Sequence, residues 1–171
     1  MKLSNLPLRL TTGAYILDSG LNKRGLPEEA AAGMQGMGAV AFPQLGQLKP
    51  QQFATLLSTS EVAVGAALLA PFVSPIVAGA ALTGFSSALL TMYWKTPGMH
   101  KPGSPLPTAE GIALAKDSWM LGIGLSLIVG SITDKTSKVA RNVSSATGDA
   151  VGSVTDAVGS VTGAVTGLVS R

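Results

Sequence analysis

No cysteine occurs among the 171 residues of this chain. Disulfides, thiol redox relays, iron–sulfur ligation, cysteine nucleophiles and thiol-based zinc sites are therefore excluded within it. Histidine occurs once, as His100, so a pair of histidine ligands for haem or copper cannot be assembled. Charge is scarce too: Asp, Glu, Lys and Arg make up 12% of the residues, with a net charge of +3. The cations form no long run, which argues against a nucleic-acid surface, because phosphate binding needs clustered Lys and Arg. Glycine-rich phosphate loops, catalytic triads and His-Glu metal patterns are all missing. No catalytic residue and no metal ligand is assigned on these grounds, and no covalently bound cofactor is expected.

What the chain has in quantity is apolar residues. They account for 46% of it, and the mean hydropathy of +0.41 is too high for an ordinary soluble domain. From Gln51 to Trp94 the only charge is Glu61. A hydrocarbon core of about 30 Å takes roughly 20 residues of helix, so this stretch holds two spans. Pro71, Ser74 and Pro75 break it, since proline lacks an N–H and disfavours helix in the residue before it. The prediction is a tight transmembrane hairpin, 53–72 out and 76–95 back.

Around that hairpin the rest falls into place as an all-α membrane domain, 1–133. A short polar first span covers 6–22, with Pro7 at its start and Asn22, Lys23 and Arg24 at its end. Asp18 interrupts its apolar run and no A-x-A-like site follows, so it reads as a retained span. Arg9 is expected to snorkel to headgroups. Residues 27–41 open with Pro27, Glu28 and Glu29 and repeat small and methionine side chains at helical spacing. They predict a short interfacial helix in the first loop, with Met34 and Met37 as packing residues. Thr91-Met-Tyr-Trp-Lys95 is an aromatic belt followed by a cation. Thr96–Thr108 carries four prolines and two glycines and reads as a loop, with His100 solvated in it. A fourth span covers 109–131, capped by Thr108. On it Gly122, Ser126 and Gly130 predict a small-residue packing face. On the hairpin, Ser58, Glu61 and Gly65 form one such face and Gly79, Thr83 and Ser86 another.

The tail, 134–171, is different material. Val151, Val154, Val158, Val161, Val165 and Leu168 alternate three and four residues apart, the spacing of a coiled-coil seam. Valine and glycine are poor helix formers, so an amphipathic surface helix, a weak coiled coil and a disordered segment that folds on contact all stay open.

Four antiparallel spans bring the inner charges to one side. At a rise of about 1.5 Å per residue, Asp18 lies roughly 5 Å below that surface, Lys116 and Asp117 roughly 10 Å, and Glu61 roughly 13 Å. Charges in lipid face a bundle interior or a wet cavity. Two readings follow. Asp18, Lys23, Glu61, Lys116 and Asp117 line a polar cleft that takes a quinone headgroup, a small polar metabolite or a proton, or Glu61, Asp18, Lys116 and Asp117 pair with one another and with the Ser and Thr hydroxyls to hold the bundle. A neutral Glu61 donates a hydrogen bond; a charged one holds a cation. Basic residues on the two sides of the membrane are near parity, so charge does not orient the chain.

Leu8-Arg9-Leu10 followed by Gly13, then Ser19-Gly20-Leu21-Asn22-Lys23, resembles the opening span of the DoxX family of small bacterial membrane proteins. Glu61-Val62-Ala63-Val64-Gly65-Ala66-Ala67-Leu68-Leu69 resembles its second span. The likeness covers about 6–132 and leaves out the tail, which departs from the family pattern. It implies a four-helix transmembrane bundle in the bacterial inner membrane with both termini inside. Arg9, Gly20, Lys23, Glu61 and Gly65 are the matched positions. Some relatives are subunits of sulfur-compound:quinone oxidoreductases. The expectation is an accessory or subunit protein of a respiratory or redox membrane complex, without catalytic activity of its own. It would contact membrane lipids and a protein partner or a second copy, through the bundle or the tail. A quinone-linked oxidoreductase subunit and a small-solute transporter are the alternatives.

Overall fold

The computed structural model of the chain describes residues 3–169; the side chains of residues 3, 148, 150, 157, 158 and 161–169 lie outside the description. All regular structure among the described residues is helical. After a 3-10 turn at Leu3–Asn5 come α1 (Leu6–Asn22), α2 (Glu28–Ala41), a second 3-10 turn (Pro43–Gln47), α3 (Pro50–Leu69), α4 (Pro75–Lys95), the short α5 (Ile112–Ala115) and α6 (Asp117–Val169). The chain divides into two compact units, Met1–Gly130 and Ser131–Arg171.

Local chemistry sets the helix limits. Pro7, Pro50 and Pro75 stand in the first turns of α1, α3 and α4, where a missing N–H costs nothing. Ser74 caps α4 by accepting from the Val77 N–H, and the Lys49 N–H donates to the side chain of Gln52 at the head of α3. Thr108 accepts from the Gly111 N–H, but the helix then starts at Ile112 and restarts at Asp117, later than the span expected from residue 109.

Within the first unit α1 lies antiparallel along α3 and α4 antiparallel along the start of α6. Glycines set both contacts. A methyl on Gly20 would lie 2.8 Å from Glu61 Cβ, and one on Gly65 2.7 Å from the Leu17 amide nitrogen. One on Gly79 would lie 2.7 Å from the Gly124 carbonyl oxygen. Small residues thus let backbones touch where lipid supplies no hydrophobic force between helices. One apolar core joins the four helices: Ile16 from α1, Val64 and Leu68 from α3, Ala78 and Leu82 from α4, Leu127 from α6. The packing face of α6 is therefore Gly124, Leu127 and Ile128. Gly122, Ser126 and Gly130 lie on the exposed side, contrary to expectation.

Among the described residues three stretches are long and apolar enough to cross a membrane: Pro50–Leu69, Pro75–Lys95 and Ile112–Asp156. That marks a multi-pass membrane protein. In the second unit the helix of α6 continues through the tail to Val169, with Val151 and Val154 exposed. The remaining seam residues Val158, Val161, Val165 and Leu168 have side chains outside the described set.

Candidate functional site

Arg9 departs most from the sequence reading. It is fully buried, and its guanidinium donates to the carbonyls of Leu68 (2.7 Å), Ala70 (2.8 Å), Ala67 (2.9 Å) and Val73 (3.0 Å). Helix C-termini leave carbonyls without partners and carry partial negative charge. Arg9 meets both needs at the end of α3 and the turn into α4. It is a structural clamp and does not snorkel to headgroups.

At the other end of the α1–α3 contact a charge pair forms. Lys23, just past α1, donates to Glu61 Oε2 at 2.8 Å and to Ser19 at its hydroxyl (2.6 Å) and carbonyl (3.3 Å). Its three protons are thereby committed. Ser58 Oγ donates to the Gly20 carbonyl at 2.7 Å. Gly20 makes this possible, because only a glycine lets α1 sit against Glu61 and Ser58. Glu61 is 5% exposed, and its second oxygen keeps no hydrogen-bond partner among the described residues.

Asp117, the first residue of α6, is 4% exposed. No hydrogen bond or ion pair reaches its carboxylate among the described residues; it feels Lys116, Glu61 and Lys23 through space. The side chains of Lys23, Glu61 and Asp117 border one cavity of about 260 Å³. Tyr15, Ser19 and Lys116 add further polar groups to its lining, and the rest is mainly apolar, including Met34 and Met37 of α2, Phe53 of α3, Phe85 and Met92 of α4 and Met120 of α6. α2 is held over this end by packing of Gly38 on Phe53 and by Lys95, whose ammonium donates to the Ala41 carbonyl at 3.2 Å.

The structure brings together three of the five expected residues in the buried part of the cleft: Lys23, Glu61 and Asp117. Lys116 stands on its exposed rim, where its ammonium donates to the Tyr15 hydroxyl at 2.7 Å. Asp18 is elsewhere. It is exposed and accepts from Asn22 one helical turn on, because its position on α1 points away from α3. His100 is not simply solvated: its ring lies 5.2 Å from that of Trp94 and 6.0 Å from that of Tyr93, centroid to centroid.

Several cleft residues escaped the sequence reading. Tyr15 and Ser19 precede Lys23 by two turns and one turn on the same face of α1, a spacing that marks them in retrospect. Met34 and Met37 are cavity wall as well as packing. Gln35, buried on α2, donates to the carbonyls of Leu45 and Leu48 and fixes the turn before α3; nothing in its spacing signals this. No group of three metal-ligating side chains occurs among the described residues. No family model matches the chain, and neither a curated protein nor a solved structure does.

Proposed function

We propose that this chain is a DoxX-like four-helix protein of the bacterial inner membrane that serves a membrane complex as a non-catalytic subunit by holding a small ligand in the Glu61–Asp117 cleft. The observation that carries it is Asp117: a carboxylate that is 4% exposed, borders a cavity and accepts no hydrogen bond among the described residues. A carboxylate that borders a cavity and receives no hydrogen bond from its own chain leaves its acceptor sites open to a ligand with donors. Support for the DoxX likeness is architectural. Arg9, Gly20, Lys23, Glu61 and Gly65 all fall on the α1–α3 contact, so the shared positions build a helix pair and specify no reaction.

A quinone-linked oxidoreductase subunit is the second reading. Lys116 and Tyr15 favour it by putting hydrogen-bond donors at the cleft rim. Against it, quinone carbonyls accept hydrogen bonds, and the uncommitted buried groups of the cleft are acceptors as well. Solute transport ranks third, because one four-helix bundle is small for alternating access.

Native mass spectrometry of the protein released gently from its own membrane tests the proposal. A small bound mass is expected, and Asp117→Leu should lose it while the protein stays monodisperse. Protein that leaves the membrane bare, with a cryo-EM map showing the cavity closed by its own side chains, would overturn it.

A further inference from the structure

A second space adjoins the cleft. A groove of about 330 Å³ between α1 and α6 is lined by Thr11, Thr12, Tyr15, Trp119 and Ile123. Four residues border both spaces: Tyr15, Lys116, Asp117 and Met120. The Lys116–Tyr15 hydrogen bond stands where the two meet. In a membrane this groove runs along the spanning segments and faces hydrocarbon, and 76% of Trp119 is exposed along it. The polar end and the apolar groove thus share one wall. A molecule with a small head and an alkyl chain fits both.

Counting donors selects the head. As carboxylates, Asp117 and Glu61 only accept. Lys23 has spent its protons on Ser19 and Glu61 Oε2, and Lys116 has bonded Tyr15 at the rim. Lys116 keeps two protons, and with the Tyr15 hydroxyl it places its donors on the exposed rim; in the buried part, Asp117 and Glu61 hold three carboxylate oxygens with no hydrogen bond among the described residues. A quinone brings two more acceptors. A hydroxyl brings one donor with lone pairs that need partners of their own. A primary ammonium brings three donors and no acceptor. Its charge also suits the remaining wall, which holds the aromatic rings of Phe53 and Phe85 and the polarisable sulfurs of the methionines.

Resting on the ligand-binding reading above, we infer that the cleft takes a lipid-soluble primary amine, with its ammonium at Asp117 and its chain leaving through the α1–α6 groove. The ligand enters from the bilayer when the Lys116–Tyr15 contact opens, and the head then replaces Lys116 as the nearest cation to Asp117.

Full-length protein in zwitterionic nanodiscs provides the test, with Trp94→Phe leaving Trp119 as the only tryptophan. Three bromine-labelled dodecyl chains, ending in ammonium, hydroxyl or benzoquinone, are compared as quenchers of Trp119. The ammonium should quench saturably at concentrations about tenfold or more below the other two, the factor expected for a charge-assisted hydrogen bond. Asp117→Asn should remove that advantage and Asp117→Glu restore it. Met120→Phe, which narrows the shared wall, should weaken quenching by all three. Saturable binding led by the hydroxyl or the quinone overturns the amine and leaves the cleft reading standing. Non-saturable quenching by every head, unchanged in Asp117→Asn and Met120→Phe, overturns both.

Discussion

At the end of α3 the last carbonyls have no helical partner, and in a low-dielectric setting each would cost several kcal/mol unmet. Arg9 serves four acceptors there with one planar group, which a lysine cannot do from a single nitrogen with the same spread. Arg9→Lys should therefore lower stability by about 3 kcal/mol, two lost hydrogen bonds to a charged group at the lower end of their range. Thermal unfolding in mild detergent measures it, and an unchanged midpoint would mean the clamp carries little. Thr83 is the opposite case. Its hydroxyl is buried without a partner and presses on Gly124, where a methyl would lie 2.5 Å from it. Thr83→Val keeps the shape and removes the unmet polar atom, so the same assay should show a gain of about 1 kcal/mol.

Among the elements, the close helix pairs depend on backbone contact more than on side-chain volume. Gly65→Ala and Gly79→Ala each drive a methyl against rigid backbone atoms and should cost about 1–3 kcal/mol. Gly84→Ala, on an open face of α4, should be neutral or raise the midpoint, because alanine is the better helix former. Equal effects at all three positions would show that the glycines are tolerated and not required. Sequence spacing found the faces on α3 and α4: Ser58, Glu61, Gly65, Gly79 and Ser86 are all buried. On α6 it chose the wrong glycines. Gly122, Ser126 and Gly130 keep a regular spacing of four, yet the helix is rotated so that Gly124 and Leu127 meet α4. Spacing defines a stripe but not which stripe is turned inward; the partner's surface decides that.

For the whole molecule the architecture turns on α1 crossing the bilayer with the three longer stretches. With 17 residues it is shorter than they are, but it lies along α3 from Gly20 against Glu61 to Gly13 against Leu68 and Leu69. An antiparallel partner of that extent should cross too. Because the chain has no cysteine, single substitutions report topology without background. Gln44→Cys and Ser104→Cys should react with a membrane-impermeant maleimide from one side, and Ser4→Cys and Phe72→Cys from the other. Labelling of Ser4→Cys from the same side as Ser104→Cys would leave α1 on one surface and rule out four spans.

Composition and periodicity alone determined that the chain is helical, that it is built for lipid, where its hairpin turns, and that Asp18, Glu61, Lys116 and Asp117 are charges set within the expected spans. Those conclusions follow from free energies that act residue by residue: transfer into hydrocarbon, proline's missing N–H and helical spacing. The tertiary structure decided the rest. It moved Arg9 from the headgroups to the carbonyls at the end of α3, left Asp18 outside, placed Lys116 on the rim with Tyr15 and set Asp117 beside a cavity with no hydrogen bond among the described residues. Each of these depends on how one helix is rotated and how deeply it sits against another, which no single helix encodes.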